Sequence, residues 1–188
     1  MNKRNYYLVN GITLYRIIAF PVLVLLVFSK QPDWFKWLLA LSFCTDAVDG
    51  FFARKLSVTS ISGATLDSIG DDLTVLAGII GMIVFKIDFL KEEVFPIIVL
   101  ASLFALQTVI AFVKYGRMTS FHTYAAKIAA VAQGIFLILL FFLPEPLYQL
   151  FYAAMLITTL ELIEEIIITF LLPTWKANVK GLYWIIKR

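Results

Sequence analysis

Thiol and imidazole chemistry is nearly absent from this chain, which holds one cysteine, Cys44, and one histidine, His122. A lone cysteine excludes an intrachain disulfide. Lying in an apolar run, Cys44 is expected to be buried, and neither Ser60 nor Ser62 has a nearby base, so no protein nucleophile stands out. Charge is scarce as well: Asp, Glu, Lys and Arg make up 15% of the residues, against about a quarter in a soluble domain. Pro-, Gly- or Ser-rich linkers, low-complexity tracts and internal repeats are missing, which predicts one domain over residues 1–188. The small positive charge, +3, reads as a membrane-surface bias and not as a nucleic-acid footprint.

What the chain has is oil. Hydrophobic residues make up 61%, aromatics 15%, and the mean hydropathy is +0.90. Apolar runs near 12–29, 35–53, 64–86, 94–113, 124–143 and 147–172 each approach the roughly 20 residues that cross a hydrocarbon core about 30 Å thick. The expected fold is an all-α integral membrane protein, a six-transmembrane-helix bundle over about 12–172. Residues 1–10, short, basic and aromatic, would lie along the headgroups before it, and 173–188 would form a cytoplasmic or interfacial tail. Arg16 inside the first run and the lack of a small-residue cleavage site mark that run as retained, not as a signal peptide. The aromatics are read as lipid-facing residues and interfacial anchors.

Orientation follows from the cations. With the N-terminus cytoplasmic, the inner segments carry Lys3, Arg4, Arg54, Lys55, Lys114, Arg117, Lys176, Lys180, Lys187 and Arg188, and the outer loops only Lys30, Lys36, Lys86 and Lys91. This asymmetry predicts that both termini are cytoplasmic. The stretch from Asp46 to Asp72 then joins the cytoplasmic ends of the second and third helices.

Its carboxylates are costly there. Asp46 and Asp49 are three apart, Asp67 and Asp71 four apart, so each pair shares a helix face. Four converging carboxylates at a membrane edge repel one another and lose hydration. One or two divalent cations resolve that conflict, and an all-oxygen site suits Mg²⁺, Mn²⁺ or Ca²⁺. Gly50 and Gly63 remove side chains beside the acids and allow close approach of a ligand or backbone. Arg54, one turn beyond Gly50, is a fixed cation suited to phosphate. Together they describe a pyrophosphate site.

The pattern Asp46-x2-Asp49-Gly50-x2-Ala53-Arg54-x8-Gly63-x3-Asp67-x3-Asp71 resembles the signature of the CDP-alcohol phosphotransferase family of membrane phospholipid synthases. Asn10-x2-Thr13-x2-Arg16 is similar to the opening of many members. The resemblance implies a two-metal centre of Mg²⁺ or Mn²⁺ on Asp46, Asp49, Asp67 and Asp71, with Asp46 and Asp67 bridging and Asp71 also the general base. It implies that Asn10, Thr13, Gly50, Arg54 and Ser60 hold the cytidine nucleotide, and that the protein is a homodimer in a bacterial-type inner membrane. The implied reaction moves a phosphatidyl group from CDP-diacylglycerol to an acceptor hydroxyl and releases CMP.

For the acceptor, the second polar island, Lys114 to Lys127, offers Lys114, Arg117, His122 and Lys127 as an anion cradle, against the plainer reading of positive-inside loop cations. This favours a small polyol phosphate, glycerol 3-phosphate first, with inositol phosphate, serine or phosphatidylglycerol as alternatives. Asp72 stands where many glycerophosphate- and inositol-phosphate-using relatives carry a basic or small residue. Glu161, Glu164 and Glu165 are expected to pair structurally, with Arg16 or Lys127 as candidate partners, or to contact a hydroxyl-rich acceptor. Two rivals from other classes are a cation transporter, whose acids would sit nearer the bilayer midplane among broken helices, and a silent scaffold, which the intact aspartate set argues against.

Overall fold

The computed structural model describes the backbone of residues 3–55 and 61–187, and the side chains of 11, 14–45, 66 and 69–187. Every described element is an α-helix: α1 (Lys3–Phe28), α2 (Pro32–Lys55), α3 (Ile61–Phe85), α4 (Ile87–Glu92), α5 (Val94–Tyr115), α6 (Tyr124–Phe142), α7 (Tyr148–Leu171) and α8 (Leu182–Ile186). Six of them run for 19 to 26 residues, about 28 to 39 Å at 1.5 Å per residue. Among the described residues two, α5 and α6, meet the length and hydropathy expected of a membrane span. Only 11% of the apolar window of α5 is buried, and 28% of that of α6, whereas the core helix of a soluble protein would be mostly covered.

The helices fall where the apolar runs predicted them, with differences at the ends. α1 begins at Lys3, so residues 3–10 continue the first helix. Pro32 opens α2, where the missing N–H costs nothing. Cys44 is exposed, contrary to expectation: α2 buries Phe35, Leu39 and Ser42, a stripe that leaves Cys44 on another face.

The chain divides into two compact units, Met1–Leu90 and Lys91–Arg188. In the first, α1 packs on α2 and α3, and α2 on α3. α1 buries Arg16, Ala19, Leu23 and Val27, one stripe at three- and four-residue spacing. α3 answers with Gly70, Thr74, Ala77 and Met82, mostly small, as close helix approach in lipid requires. The Phe35 and Phe85 rings meet at 5.5 Å.

In the second unit, α7 packs on α5, α6 and α8. Phe136 and Phe151 join α6 to α7 with rings 5.2 Å apart, and Gln133 donates to Thr158 across the same pair at 2.7 Å. α5 ends at Gly116, whose φ of 69° is the left-handed conformation that glycine adopts without penalty. Its N–H closes the helix on Phe112 O at 2.8 Å. The tail then returns: Phe121, Ile168 and Val179 form a buried cluster with Tyr115, Leu172, Leu182 and Ile185 around it.

Candidate active site

Among the described residues of the first unit, the most buried charge is Arg16, 1% exposed. A guanidinium there needs a carboxylate. Its Nη1 donates to Asp71 Oδ1, and the pair ties α1 to α3. The guanidinium lies directly against α3: a Cβ at Gly70 would stand 3.4 Å from both Cζ and Nε of Arg16, at van der Waals contact. Thr74 Oγ1 donates to Gly70 O at 2.8 Å, so its hydroxyl is satisfied within the helix. The Asp71 side chain keeps 39% of its exposure, so it is held from one side by Arg16 and stays accessible on another. Asp72 is exposed.

Asp46 and Asp49 lie on α2 and Asp67 on α3, each in continuous helix, which is the condition for their three- and four-residue spacings to share a face. Their side chains are outside the described residues, as are those of Asn10, Thr13 and Arg54. Gly50 lies on α2, and Ser60 is outside the described residues altogether. Among the described residues no group of three metal ligands forms, three of the four carboxylates being outside them. The donor set is entirely carboxylate oxygen, which fits a hard divalent cation such as Mg²⁺ or Mn²⁺.

The cations of the second polar island separate. Lys114 Nζ donates to Thr169 O at 2.8 Å and Phe170 O at 3.1 Å, while Tyr115 Oη donates to Thr169 O at 3.0 Å and Leu172 O at 2.8 Å. Both therefore satisfy the last carbonyls of α7, which no intrahelical donor reaches. Arg117 lies over the Trp175 ring, 5.0 Å from its centre, and Trp175 Nε1 donates to Met118 O at 3.0 Å. His122 and Lys127 stay together, lining one pocket.

Two of the three glutamates of α7 have hydrogen-bond partners, and these are neither Arg16 nor Lys127. Buried Glu165 accepts from Gln107 Nε2 at 2.7 Å and from Thr119 Oγ1 at 2.9 Å, and Gln107 also donates to Thr119 at 2.8 Å. Glu164 accepts from the backbone N–H of Leu182 at 2.8 Å. Glu161 is buried one turn before Glu165. The role that sequence reasoning missed is that of Arg16. An arginine inside an apolar run needs an acid at its own depth. α1 and α3, separated by one returning helix, run the same way, so Asp71 was the available partner.

The family model for CDP-alcohol phosphatidyltransferases matches residues 6–170, across both units. Two curated relatives are each named CDP-diacylglycerol–glycerol-3-phosphate 3-phosphatidyltransferase. The protein from Wigglesworthia glossinidia brevipalpis is 38% identical over 72 residues, 37% of this chain and 40% of that protein. The one from Escherichia coli (strain K12) is 40% identical over 68 residues, 34% of this chain and 37% of that protein. The chain thus spans about two fifths of the length of the curated relatives it matches. No solved structure matches it.

Proposed function

The chain belongs to the CDP-alcohol phosphatidyltransferase family, and from that premise we propose that it is a membrane enzyme transferring a phosphatidyl group from CDP-diacylglycerol to the hydroxyl of glycerol 3-phosphate. The observation that carries this reading is that the family match over 6–170 includes the whole aspartate motif from Asp46 to Asp71. The names of the two relatives support glycerol 3-phosphate as the acceptor. Six long helices, two of them apolar enough to cross a membrane, support six spans, and the Lys and Arg asymmetry supports the aspartates at the cytoplasmic face.

Asp46, Asp49, Asp67 and Asp71 would hold Mg²⁺ or Mn²⁺. Bound there, the ions supply positive charge against the pyrophosphate as negative charge grows on the departing CMP. Arg54 adds a permanent cation for the same phosphates, and Gly50 leaves room beside them. Asn10, Thr13 and Ser60 complete the nucleotide site.

Asp71 accepts the proton of the acceptor hydroxyl as that oxygen attacks the phosphorus bearing the lipid. The new phosphorus–oxygen bond forms as the bond to the CMP oxygen breaks, so no covalent enzyme intermediate is needed. Arg16 holds the Asp71 carboxylate toward α1 and acts as a positioning residue.

The test is an acceptor screen. Purified protein with CDP-diacylglycerol and Mg²⁺ is offered glycerol 3-phosphate, inositol phosphate, serine and phosphatidylglycerol in turn, and the lipid product is weighed by mass spectrometry. Phosphatidylglycerophosphate is the expected product. A product from another acceptor alone would replace the acceptor and keep the chemistry, and release of CMP with none of them would refute the reading.

A further inference from the structure

At one end of the second unit α5 stops at Tyr115, α6 starts at Tyr124 and α7 stops at Leu171. Neither the stretch 114–127 nor the tail 173–188 contains an Asp or a Glu, and the fold joins the two. Asn178 N–H donates to Ser120 O at 3.1 Å, and Tyr124 N–H donates to Lys180 O at 3.2 Å. Trp175 Nε1 donates to Met118 O at 3.0 Å, Val179 is buried against Phe121 and Ile168, and the Trp184 ring lies 5.4 Å from that of Tyr124. Gly181, at φ 147°, runs so close to α7 that a Cβ would stand 3.0 Å from Glu164 Oε1, the oxygen that accepts from Leu182 N–H. The tail is therefore a fixed platform and not a trailing end.

Its surface has two components. Arg117, Lys127, Lys176, Lys180 and Lys187 are exposed, and among the described residues none of them is paired with a carboxylate. Beside these cations Tyr183 is 61% exposed and Ile186 70%, with Trp184 exposed between them. Cation and ring sit together: Lys187 Nζ donates to Tyr183 Oη at 3.1 Å. Water suits the lysines and penalises the fixed apolar side chains, whereas hydrocarbon does the reverse. The headgroup region of an anionic leaflet accommodates both, taking aromatic and aliphatic groups at the acyl boundary and ammonium groups at the phosphates. The platform lies where that region would be, at the ends of α5 and α6, the two helices long and apolar enough to span.

We propose that the tail and the loop it is stapled to form a docking surface for anionic phospholipids, with Lys176, Lys180 and Lys187 at the lipid phosphates and Tyr183, Trp184 and Ile186 at the acyl boundary. The surface requires only that α5 and α6 cross a membrane, so it stands or falls independently of the transfer chemistry.

The experiment measures which lipid gathers at the platform. Of the four tryptophans, Trp175 and Trp184 belong to it, so the full chain is prepared with Trp34→Phe and Trp37→Phe and placed in nanodiscs of equal parts phosphatidylglycerol and phosphatidylcholine. In one set the phosphatidylglycerol carries brominated acyl chains, in the other the phosphatidylcholine does, and bromine quenches the tryptophans it reaches. An ammonium group near an anionic leaflet favours association about five-fold, so quenching by the brominated phosphatidylglycerol should exceed that by the brominated phosphatidylcholine about two-fold or more. High salt should reduce the excess. Replacing all three lysines (Lys176→Gln, Lys180→Gln and Lys187→Gln) should abolish it with little change in thermal midpoint, while Lys→Arg at the same three positions should keep it.

Equal quenching by the two lipids in the lysine-intact protein, or an excess that survives the three glutamines, overturns the proposal. Absence of quenching by either lipid would place the tryptophans away from the bilayer and overturn it too. Inorganic phosphate at matched ionic strength should leave the excess unchanged. Its loss in phosphate but not in chloride would give the patch to a soluble anion and overturn the assignment to lipid.

Discussion

Arg16 is where charge and burial meet most sharply, and its pair with Asp71 divides into a structural and a chemical half. Arg16 is fully covered and Asp71 is partly open. Arg16→Met should therefore cost between the ~1 kcal/mol of an exposed pair and the ~3–5 kcal/mol of a buried one, seen as a lower thermal midpoint in detergent. Asp71→Asn keeps a hydrogen-bond acceptor for Arg16 but cannot take a proton at neutral pH. It should lower CMP release by about 10²–10⁴, the range of general base catalysis, with a smaller loss of stability than Arg16→Met. The four aspartates stand out in the sequence because carboxylates are expensive in an apolar chain and their spacing repeats by helical turns. The Arg16 partner was harder to read. It depends on which helices are neighbours, and α7 offered three glutamates that looked equally available until Gln107, Thr119 and the Leu182 amide were seen to engage two of them.

Helix ends and the short elements carry most of what hydropathy could not show. The apolar run starting near residue 12 marks where the chain enters oil, not where α1 begins at Lys3, since a helix can continue through polar and aromatic residues. α4 and α8, six and five residues long, are too short for any apolar period to emerge. The docking of the tail is illegible for another reason. It turns on one carboxylate–amide contact between α7 and Leu182 and on a glycine whose φ of 147° other residues rarely adopt. Gly181→Val should break that contact by strain and by crowding Glu164, and limited proteolysis should then cut within 174–188 well before it cuts wild type. The buried triad of α5, α7 and the loop between α5 and α6 makes a parallel claim. Glu165→Leu removes an acceptor from both Gln107 and Thr119, which keep only their bond to each other, and should cost about 1–3 kcal/mol. Glu165→Gln retains an acceptor oxygen and should recover much of it, and thermal melts of the two variants side by side would check the difference.

Among the described residues many large apolar side chains face outward. Phe95 is 76% exposed and Val113 84%, both on α5, an arrangement that water would penalise and lipid tails would not. The single cysteine makes the proposed orientation easy to check. In a Cys44→Ser background, Lys91→Cys should react with a membrane-impermeant maleimide added to intact cells, while Lys176→Cys should react only after lysis. The central claim, that carboxylates from α2 and α3 share divalent ions and drive phosphatidyl transfer, is tested most directly by CMP release from CDP-diacylglycerol and glycerol 3-phosphate as Mg²⁺ is titrated. Wild-type protein should be silent in excess chelator and recover with added Mg²⁺, and Asp46→Asn and Asp67→Asn should stay silent at every concentration. Full release in chelator, or wild-type release by either variant, would contradict the account.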